Sequence, residues 1–187
     1  MPVDKTDGLS AEESGGLEIP LRYFYAEPAD WEKYQAACTH LMWLKSTFLS
    51  QLCNSFISVN WEYYAECAEL DAQARGLSTQ EFFTECCNWD GKLTEYQKRR
   101  PTFKPSPLAT VPDVDASQEN RRRVKTIRTG RANGALLRVA CEVDRCNLIT
   151  VTSRVLRWHF DRYWEKLYVP QIQAAQEQSF RRVFNQE

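Results

Sequence analysis

The sequence predicts an all-α protein, an antiparallel four-helix bundle with a long, basic, Pro-rich loop before its last long helix. Three observations lead to this fold class. Apolar residues recur at steps of three and four over most of the chain, which is the period of one helix face. Proline and glycine interrupt that period at only a few places. Of the 187 residues, 43% are apolar, which is enough for one domain with its own core.

The N-terminal residues, 1–20, are rich in Gly, Ser and acidic side chains and show no periodicity, which predicts a flexible arm. This stretch has no apolar signal core, and no run of about 18 apolar residues occurs elsewhere. The seven cysteines are an odd number, and we interpret them as reduced, intracellular thiols. We therefore predict that the protein has no membrane partner.

The first helix is predicted to begin at Pro28 and Asp30, which are residue types favoured at helix N-termini. Its apolar stripe starts at Trp31 and reaches Phe56. The stripe is wide, so the helix should be packed on several sides, by its own domain or by neighbouring subunits. Asn60 is expected to cap a second helix, which ends near Gly76.

A third helix is predicted from Ser78, which forms a capping box with Glu81. Its apolar stripe begins at Phe82 and continues to Tyr96, and a proline at position 101 ends it. The following residues, 101–117, contain four prolines and little helical period. They are predicted to form a long loop or an extended segment.

The last long helix is predicted from the return of the helical period after Gly134 and its continuation to Tyr168. Ile149–Thr152 would suit a strand on propensity alone, but its neighbours have a helical pattern, so we extend the helix through it. Pro170 is expected to end this helix. Residues 171–187 are then a C-terminal extension, either a terminal helix or a mobile tail.

A local concentration of basic side chains is the strongest functional signal. The net charge is −1, yet residues 119–134 contain a run of arginines and one lysine against a single acid, Glu119. Such a cluster is typical of a surface that meets phosphates, although a solvated helix face or a flexible loop is the alternative. Basic residues bracket the Pro-rich stretch, so we expect 99–134 to form one continuous RNA-facing segment of a domain spanning 21–170. The candidate RNA-binding residues are Arg99, Arg100, Arg121, Arg122, Arg123, Lys125, Arg128, Arg131 and Asn133.

Few aromatic residues accompany this basic cluster, and Phe103 is the nearest. Binding by charge is therefore expected rather than recognition of particular bases. No P-loop, G-x-S-x-G or H-E-x-x-H motif is present. The two histidines, His40 and His159, lie far apart, and the cysteines lack metal-ligand spacing. We predict no enzymatic activity, no metal, no cofactor and no small-molecule substrate.

Several segments together resemble one family. The run Asn120–Arg123, followed by Gly130–Asn133, is similar to an arginine-bearing segment that precedes a last long helix. Phe160–Tyr168 is similar to an aromatic–acidic stretch of the same proteins, with Asp in place of Glu. The aromatic helix Trp31–Phe56 and the string Phe103–Pro107 add to the likeness. Over about residues 25–170, this layout resembles the coat proteins of rod-shaped plant RNA viruses, the tobamovirus-like, virgavirus and benyvirus group.

The resemblance implies a structural capsid subunit that self-assembles into a helical rod and encapsidates single-stranded RNA. It also implies a location in the virion and in the cytoplasm of the infected host cell. The arginines of the inner segment would contact RNA phosphates. Phe160 and Asp161 would bridge the end of the bundle to a neighbouring subunit or to the basic segment, with Trp31 and Trp164 as further interface residues.

The alternative is a small helical regulator that binds RNA or a protein as a monomer or dimer. The six tryptophans separate the two hypotheses. A monomeric bundle of this size should bury most of them within itself. A rod subunit can leave several at its flanks, because its neighbours cover them.

Overall fold

The computed structural model describes residues 15–184 and shows a predominantly helical fold with two short antiparallel strand pairs. The predicted helical class is therefore confirmed, whereas the strands were not predicted. The strands are β1 (Leu17–Pro20), β2 (Tyr23–Tyr25), β3 (Arg121–Arg123) and β4 (Thr126–Thr129). The helices are α1 (Pro28–His40), α2 (Lys45–Val59), α3 (Trp61–Arg75), α4 (Thr79–Cys87), α5 (Arg131–Asp144), α6 (Leu148–Tyr163) and α7 (Val169–Phe184).

The predicted flexible arm, 1–20, is only partly within the described residues. Positions 17–20 form β1, so the prediction is wrong for them. The physical reason is a short alternation of burial, in which Ile19 is fully buried and the residues on either side are not. Burying this side chain stabilises the fold by about 2 kcal/mol. The polar composition of residues 1–20 as a whole gives no indication of this one buried residue. Residues 1–14 lie outside the described residues.

The first predicted helix is divided into α1 and α2. Between them Met42 has a φ of 55°, a left-handed conformation that no right-handed helix accommodates. The apolar stripe continues across the break because Trp43 packs on Phe48, with ring centroids 5.2 Å apart. The periodicity therefore reports a continuous buried face, and the prediction of one continuous helix is wrong.

The second helix ends at the predicted glycine, but the Asn60 side chain does not cap it, because its amide donates to the Phe56 carbonyl at 2.8 Å. The capping box that begins the next helix is present. Ser78 Oγ accepts a hydrogen bond from the Glu81 N–H at 3.2 Å, and the Ser78 N–H donates to Glu81 Oε2 at 2.8 Å. However, α4 ends at Cys87 rather than near Tyr96. Arg138 of α5 donates to the carbonyl oxygens of Glu85 and Gly91. It thus binds carbonyl groups that a longer helix would need for itself.

The last predicted helix is interrupted as well. Arg145 adopts a φ of 51°, and the side chain of Asn147 then caps α6, accepting from the Thr150 N–H at 2.9 Å. Ile149–Thr152 is helical, which confirms the choice of helix over strand. Pro170 does not end the helical region, because it falls in the first turn of α7, where a proline is tolerated. The C-terminal extension is helical as far as residue 184, and 185–187 lie outside the described residues.

Helix α2 lies at the centre of the fold, where it packs against α3, α5, α6 and β4. Aromatic side chains fill this region. Phe56 packs edge-on against Trp158 with centroids 4.9 Å apart, and Phe48 lies 6.1 Å from Phe160. Such pairs contribute about 1 kcal/mol each beyond their buried area. Strand β4 lies against α2 and strand β2 lies against α6, so these two helices position the basic segment.

Candidate nucleic-acid interface

The basic segment is paired with the N-terminal part of the chain in two antiparallel strand pairs that keep the same register. Leu17 lies opposite Thr129, and Tyr25 lies opposite Arg121. Two backbone hydrogen bonds lie between the strand pairs. The Leu21 N–H donates to the Lys125 carbonyl at 3.2 Å, and the Val124 N–H donates to the Arg22 carbonyl at 3.1 Å. We call this paired structure, residues 17–26 and 120–129, the ribbon.

Burial along the ribbon determines which side chains point outward. Ile19 and Ile127 are opposite each other and fully buried. Leu21 and Phe24 are also buried, so the alternation shifts by one residue between them. This shift coincides with the gap between the strand pairs. Side chains alternate in an extended chain, so the shift moves the solvent-facing side chains from even to odd positions. Arg128 is exposed before the shift, and Arg121, Arg123 and Lys125 are exposed after it.

Within residues 120–129, four basic side chains point outward and are exposed, and Arg22, between β1 and β2, is exposed as well. Only one acid approaches them within the described residues, since Glu18 Oε1 lies 3.8 Å from Arg128. That pair is largely solvent-exposed on both sides, so it is weak. The face is therefore locally positive although the chain is nearly neutral. We call it the basic ribbon face, and its residues are Arg121, Arg123, Lys125 and Arg128.

Two tyrosines belong to the same surface. Tyr23 and Tyr25 lie opposite Arg123 and Arg121, and both are half-buried. The guanidinium carbon of Arg121 is 3.8 Å from the centre of the Tyr23 ring, which is a cation–π contact. Sequence reasoning missed these aromatics because they lie on the partner strand. The β-favouring string around Phe24 is the signal that could have indicated a strand there.

A groove of about 1000 Å³ separates the basic ribbon face from the beginning of α2. Lys45 and the first turn of α2 form one wall, and Arg123 and Lys125 contribute to the other. The residue before α2, Leu44, has no side chain able to cap the helix, so the first-turn N–H groups lack a side-chain acceptor. Such N–H groups and the helix dipole favour an anion, in addition to the lysine and arginine charges.

The side chains of α2 hold the backbone of β4 in place. Ser50 Oγ accepts a hydrogen bond from the Arg128 N–H at 2.9 Å, and Asn54 Nδ2 donates to the Arg128 carbonyl at 3.1 Å. Asn133 donates in turn to Asn54 Oδ1 at 3.0 Å. Asn133, a candidate RNA-binding residue, is thus half-buried, with its amide bonded to α2. It positions the ribbon instead of facing a ligand.

Arg122 points in the opposite direction from its neighbours. Its guanidinium lies 5.0 Å from the centre of the Trp31 ring and donates to the Ala26 carbonyl at 3.2 Å. Trp31 itself stacks on Tyr34 at 5.2 Å. Arg122 and Trp31 therefore attach the ribbon to the helical body. The expectations that Arg122 faces RNA and that Trp31 serves a subunit interface are corrected accordingly.

The outlying basic candidates divide into two groups. Arg131 is exposed at the first residue of α5, directly after the ribbon. Arg100 instead donates to the carbonyls of Glu142 and Val143 at 2.6 and 3.2 Å, at the far end of the same helix. A helix of 14 residues separates these ends by about 20 Å. Arg99 lines a groove beside Arg100, so the prediction of one continuous 99–134 segment is wrong.

The aromatic–acidic stretch at the end of α6 is mostly internal. Phe160 is buried and contacts Trp164 at 5.3 Å, so it does not reach a neighbouring subunit as expected. Asp161 is exposed and forms no ion pair within residues 15–184. Trp164 is half-buried and stacks on Tyr168 at 5.7 Å. Of the expected interface residues in this stretch, Asp161 and part of Trp164 remain accessible.

The one buried histidine is part of the core. His159 Nε2 and Tyr168 Oη share a hydrogen bond at 2.8 Å, and burial lowers the pKa of the histidine to about 4. The imidazole is therefore neutral at physiological pH. Across residues 15–184 no three His, Cys, Asp or Glu side chains converge as metal ligands would.

Comparisons of the chain with protein-family models, curated proteins and solved structures return no match. Between residues 15 and 184, none of the helices has the length and apolarity needed to cross a bilayer. The class to which the fold and site belong is thus a helical protein with a basic, tyrosine-bearing ribbon on its surface.

Proposed function

We propose that this chain binds the phosphate backbone of single-stranded RNA through the basic ribbon face. The observation that carries the proposal is the outward alignment of four basic side chains with one weakly paired acid beside them. Each such side chain that meets a phosphate releases condensed counterions, which supplies affinity without base readout. The groove beside α2 would hold phosphates between Lys45 and the ribbon.

A single strand suits this surface better than a duplex. Tyr23 and Tyr25 lie among the arginines, and the accessible part of an aromatic ring face can stack on an unpaired base. The Arg121 guanidinium over Tyr23 extends this flat surface. Stacking of this kind tolerates any base, in keeping with a protein that coats a long RNA.

We further propose that the chain is the subunit of a helical rod in a virion, assembled in the cytoplasm of the infected host cell. Helices α2, α3, α5 and α6, which pack on one another, would be the four helices of its antiparallel bundle. One tryptophan supports self-assembly. Trp61 is 44% exposed, whereas Trp158 is buried and the other four are half-buried against the core. A neighbouring subunit would cover Trp61 in a rod.

Electron microscopy of the purified protein with and without single-stranded RNA tests the assembly. Rods or stacked discs are expected, and uniform small particles under every condition would favour the monomeric or dimeric regulator instead. RNA binding is tested in parallel by a filter assay. The variant replaces all four residues of the basic ribbon face by Gln and leaves Arg122 in place, because Arg122 attaches the ribbon to the body.

A matched control removes the same number of positive charges elsewhere, by replacing Lys92, Lys98, Arg99 and Lys104 with Gln. These side chains are exposed within the irregular segment before the ribbon. We expect the ribbon variant to lose most of its RNA affinity and the control variant to retain it. Equal losses in both would mean that RNA binding depends on total charge, and the site assignment would be rejected.

A further inference from the structure

The C-terminal half of α7 presents an apolar face that the described residues leave uncovered. Phe180, Val183 and Phe184 are each more than half exposed and recur at helical spacing. The two phenylalanine rings pack on each other with centroids 4.5 Å apart. Arg181 and Arg182 flank them. We call these five residues the tail face, and the exposed Glu177, one helical turn before Arg181, offsets one of its two positive charges.

The tail face extends away from the packed part of its helix. Residues near the beginning of α7 contact the body, with Ile172 buried and Gln176 beside His40. From 177 to 184 every side chain is exposed, a length of about 12 Å at 1.5 Å per residue. A monomeric protein gains nothing from two phenylalanines in water at the end of a helix, so this face indicates a partner.

A second surface has the opposite charge. Glu62, Glu66 and Glu69 follow one another along the exposed side of α3, and none forms an ion pair within residues 15–184. Trp61 and Leu70 border them and are 44% and 45% exposed. We call these five residues the acidic face. Its three carboxylates have the charge opposite to that of Arg181 and Arg182, and Trp61 and Leu70 offer apolar surface to the phenylalanines.

The two faces belong to different parts of the molecule. Helix α3 packs against α2, α4 and α5, whereas α7 packs against α1 and the turn before it. We propose that the tail face of one copy of this chain docks on the acidic face of a second copy. A contact between two different faces is heterologous, so each added copy presents a free face for the next, and the assembly extends as an open helix or closes as a ring.

This inference rests on the self-assembly part of the proposed function and assigns its contact surfaces. Opposite charges at the contact steer the two copies into register, and the apolar side chains supply affinity. RNA is not required for this contact, because neither face includes a residue of the ribbon. Assembly at a high protein concentration is therefore expected without RNA.

Charge reversal tests the pairing. One variant carries Arg181→Glu and Arg182→Glu, and the other carries Glu62→Lys, Glu66→Lys and Glu69→Lys. All five positions are exposed, so the fold should persist, which far-UV circular dichroism verifies. In sedimentation velocity without RNA, each variant alone should need at least a roughly tenfold higher concentration than wild type to assemble.

Restoration distinguishes pairing from a general effect of charge. An equimolar mixture of the two variants, and a single chain carrying all five reversals, should both assemble at wild-type concentrations, because each Glu again meets a Lys or Arg. The matched control reverses three exposed acids on other elements, Glu32→Lys, Asp90→Lys and Glu95→Lys. This control should assemble like wild type.

The outcomes separate failure of the interface from failure of the proposed function. If wild type and both charge-reversed variants assemble equally, the pairing of these two faces is wrong and the rod proposal stands. If the variants lose assembly but the mixture does not regain it, the two faces do not bind each other. If wild type stays monomeric with and without RNA, both this inference and the self-assembly proposal are wrong, whereas RNA binding is judged by the separate filter assay.

Discussion

The salt dependence of RNA binding reports how many basic side chains contact phosphates. For single-stranded nucleic acid, the slope of log affinity against log salt is about −0.7 for each phosphate neutralised. If the four side chains of the basic ribbon face each meet one phosphate, the slope is about −2.8. Raising the salt from 50 to 200 mM would then weaken binding by roughly 50-fold.

The informative perturbation is the double variant Arg123→Gln/Lys125→Gln. These two side chains line the groove and are exposed, and neither has an acid within ion-pair distance among the described residues. Their removal should halve the slope to about −1.4, so that the same change of salt weakens binding by only about sevenfold. At low salt the variant should bind more weakly, and at high salt the two proteins should converge.

Fluorescence anisotropy with a labelled uridine oligonucleotide, at protein concentrations too low for assembly, measures the slope directly. The matched control is Arg99→Gln/Arg145→Gln, which removes two exposed arginines at the far end of α5. This control should keep the wild-type slope. A double variant with an unchanged slope, or a control that lowers the slope equally, would refute the assignment of the basic ribbon face.

Three further predictions concern stability, each measured by urea denaturation. Arg75→Met should destabilise by about 3–5 kcal/mol, because the guanidinium Nε lies 3.0 Å from the fully buried Asp71 carboxylate, which would lose its partner. A loss below about 1 kcal/mol would contradict that reasoning. Gly76→Ala should cost about 1 kcal/mol, since Gly76 has a φ of 72° and a Cβ would meet the Gln97 side chain. An alanine variant as stable as wild type would show that the backbone relaxes there. His159 has a pKa of about 4 in the folded state and 6.5 in the unfolded state. As the pH falls, the unfolded chain therefore binds the proton first, so the free energy of unfolding decreases between about pH 6.5 and pH 4. The full loss of stability is about 3 kcal/mol, and the His159→Gln variant should not show this pH-dependent loss. If the stability of both proteins falls in parallel with pH, this histidine is not the cause.

Helix breaks show where a sequence carries a signal and where it does not. Gly76 ends α3 in the left-handed conformation, and the glycine predicted that end correctly. Met42 and Arg145 adopt the same conformation at other breaks, with φ values of 55° and 51°. Neither residue type favours it, so the chain itself gives no indication. Tertiary packing imposes these two breaks, and periodicity alone predicts continuous helices through them.

The candidate site was predictable in its charge but not in its geometry. A run of three arginines, Arg121–Arg123, is visible in the sequence, yet only alternate side chains of a strand share a face. Knowing which arginine points inward requires the strand partner, and that partner is three residues long and lies far away in the sequence. Strands this short fall below the length at which alternation stands out from chance.

The long-range pairing makes the basic face a property of the folded chain. Gly134 of α5 lies so close to the ribbon that an added Cβ would come within 2.5 Å of Thr129 Oγ1 and 2.6 Å of Leu17 Cδ1. Three contacts together fix how the ribbon lies on the body: the close approach of α5, the side-chain amide of Asn54 in α2, and the inward Arg122. An isolated peptide of residues 119–134 keeps every charge but loses this arrangement. Its arginine side chains would be free to point in any direction. The separation of outward from inward arginines is therefore a consequence of the pairing with residues 17–26 and not of the basic run itself.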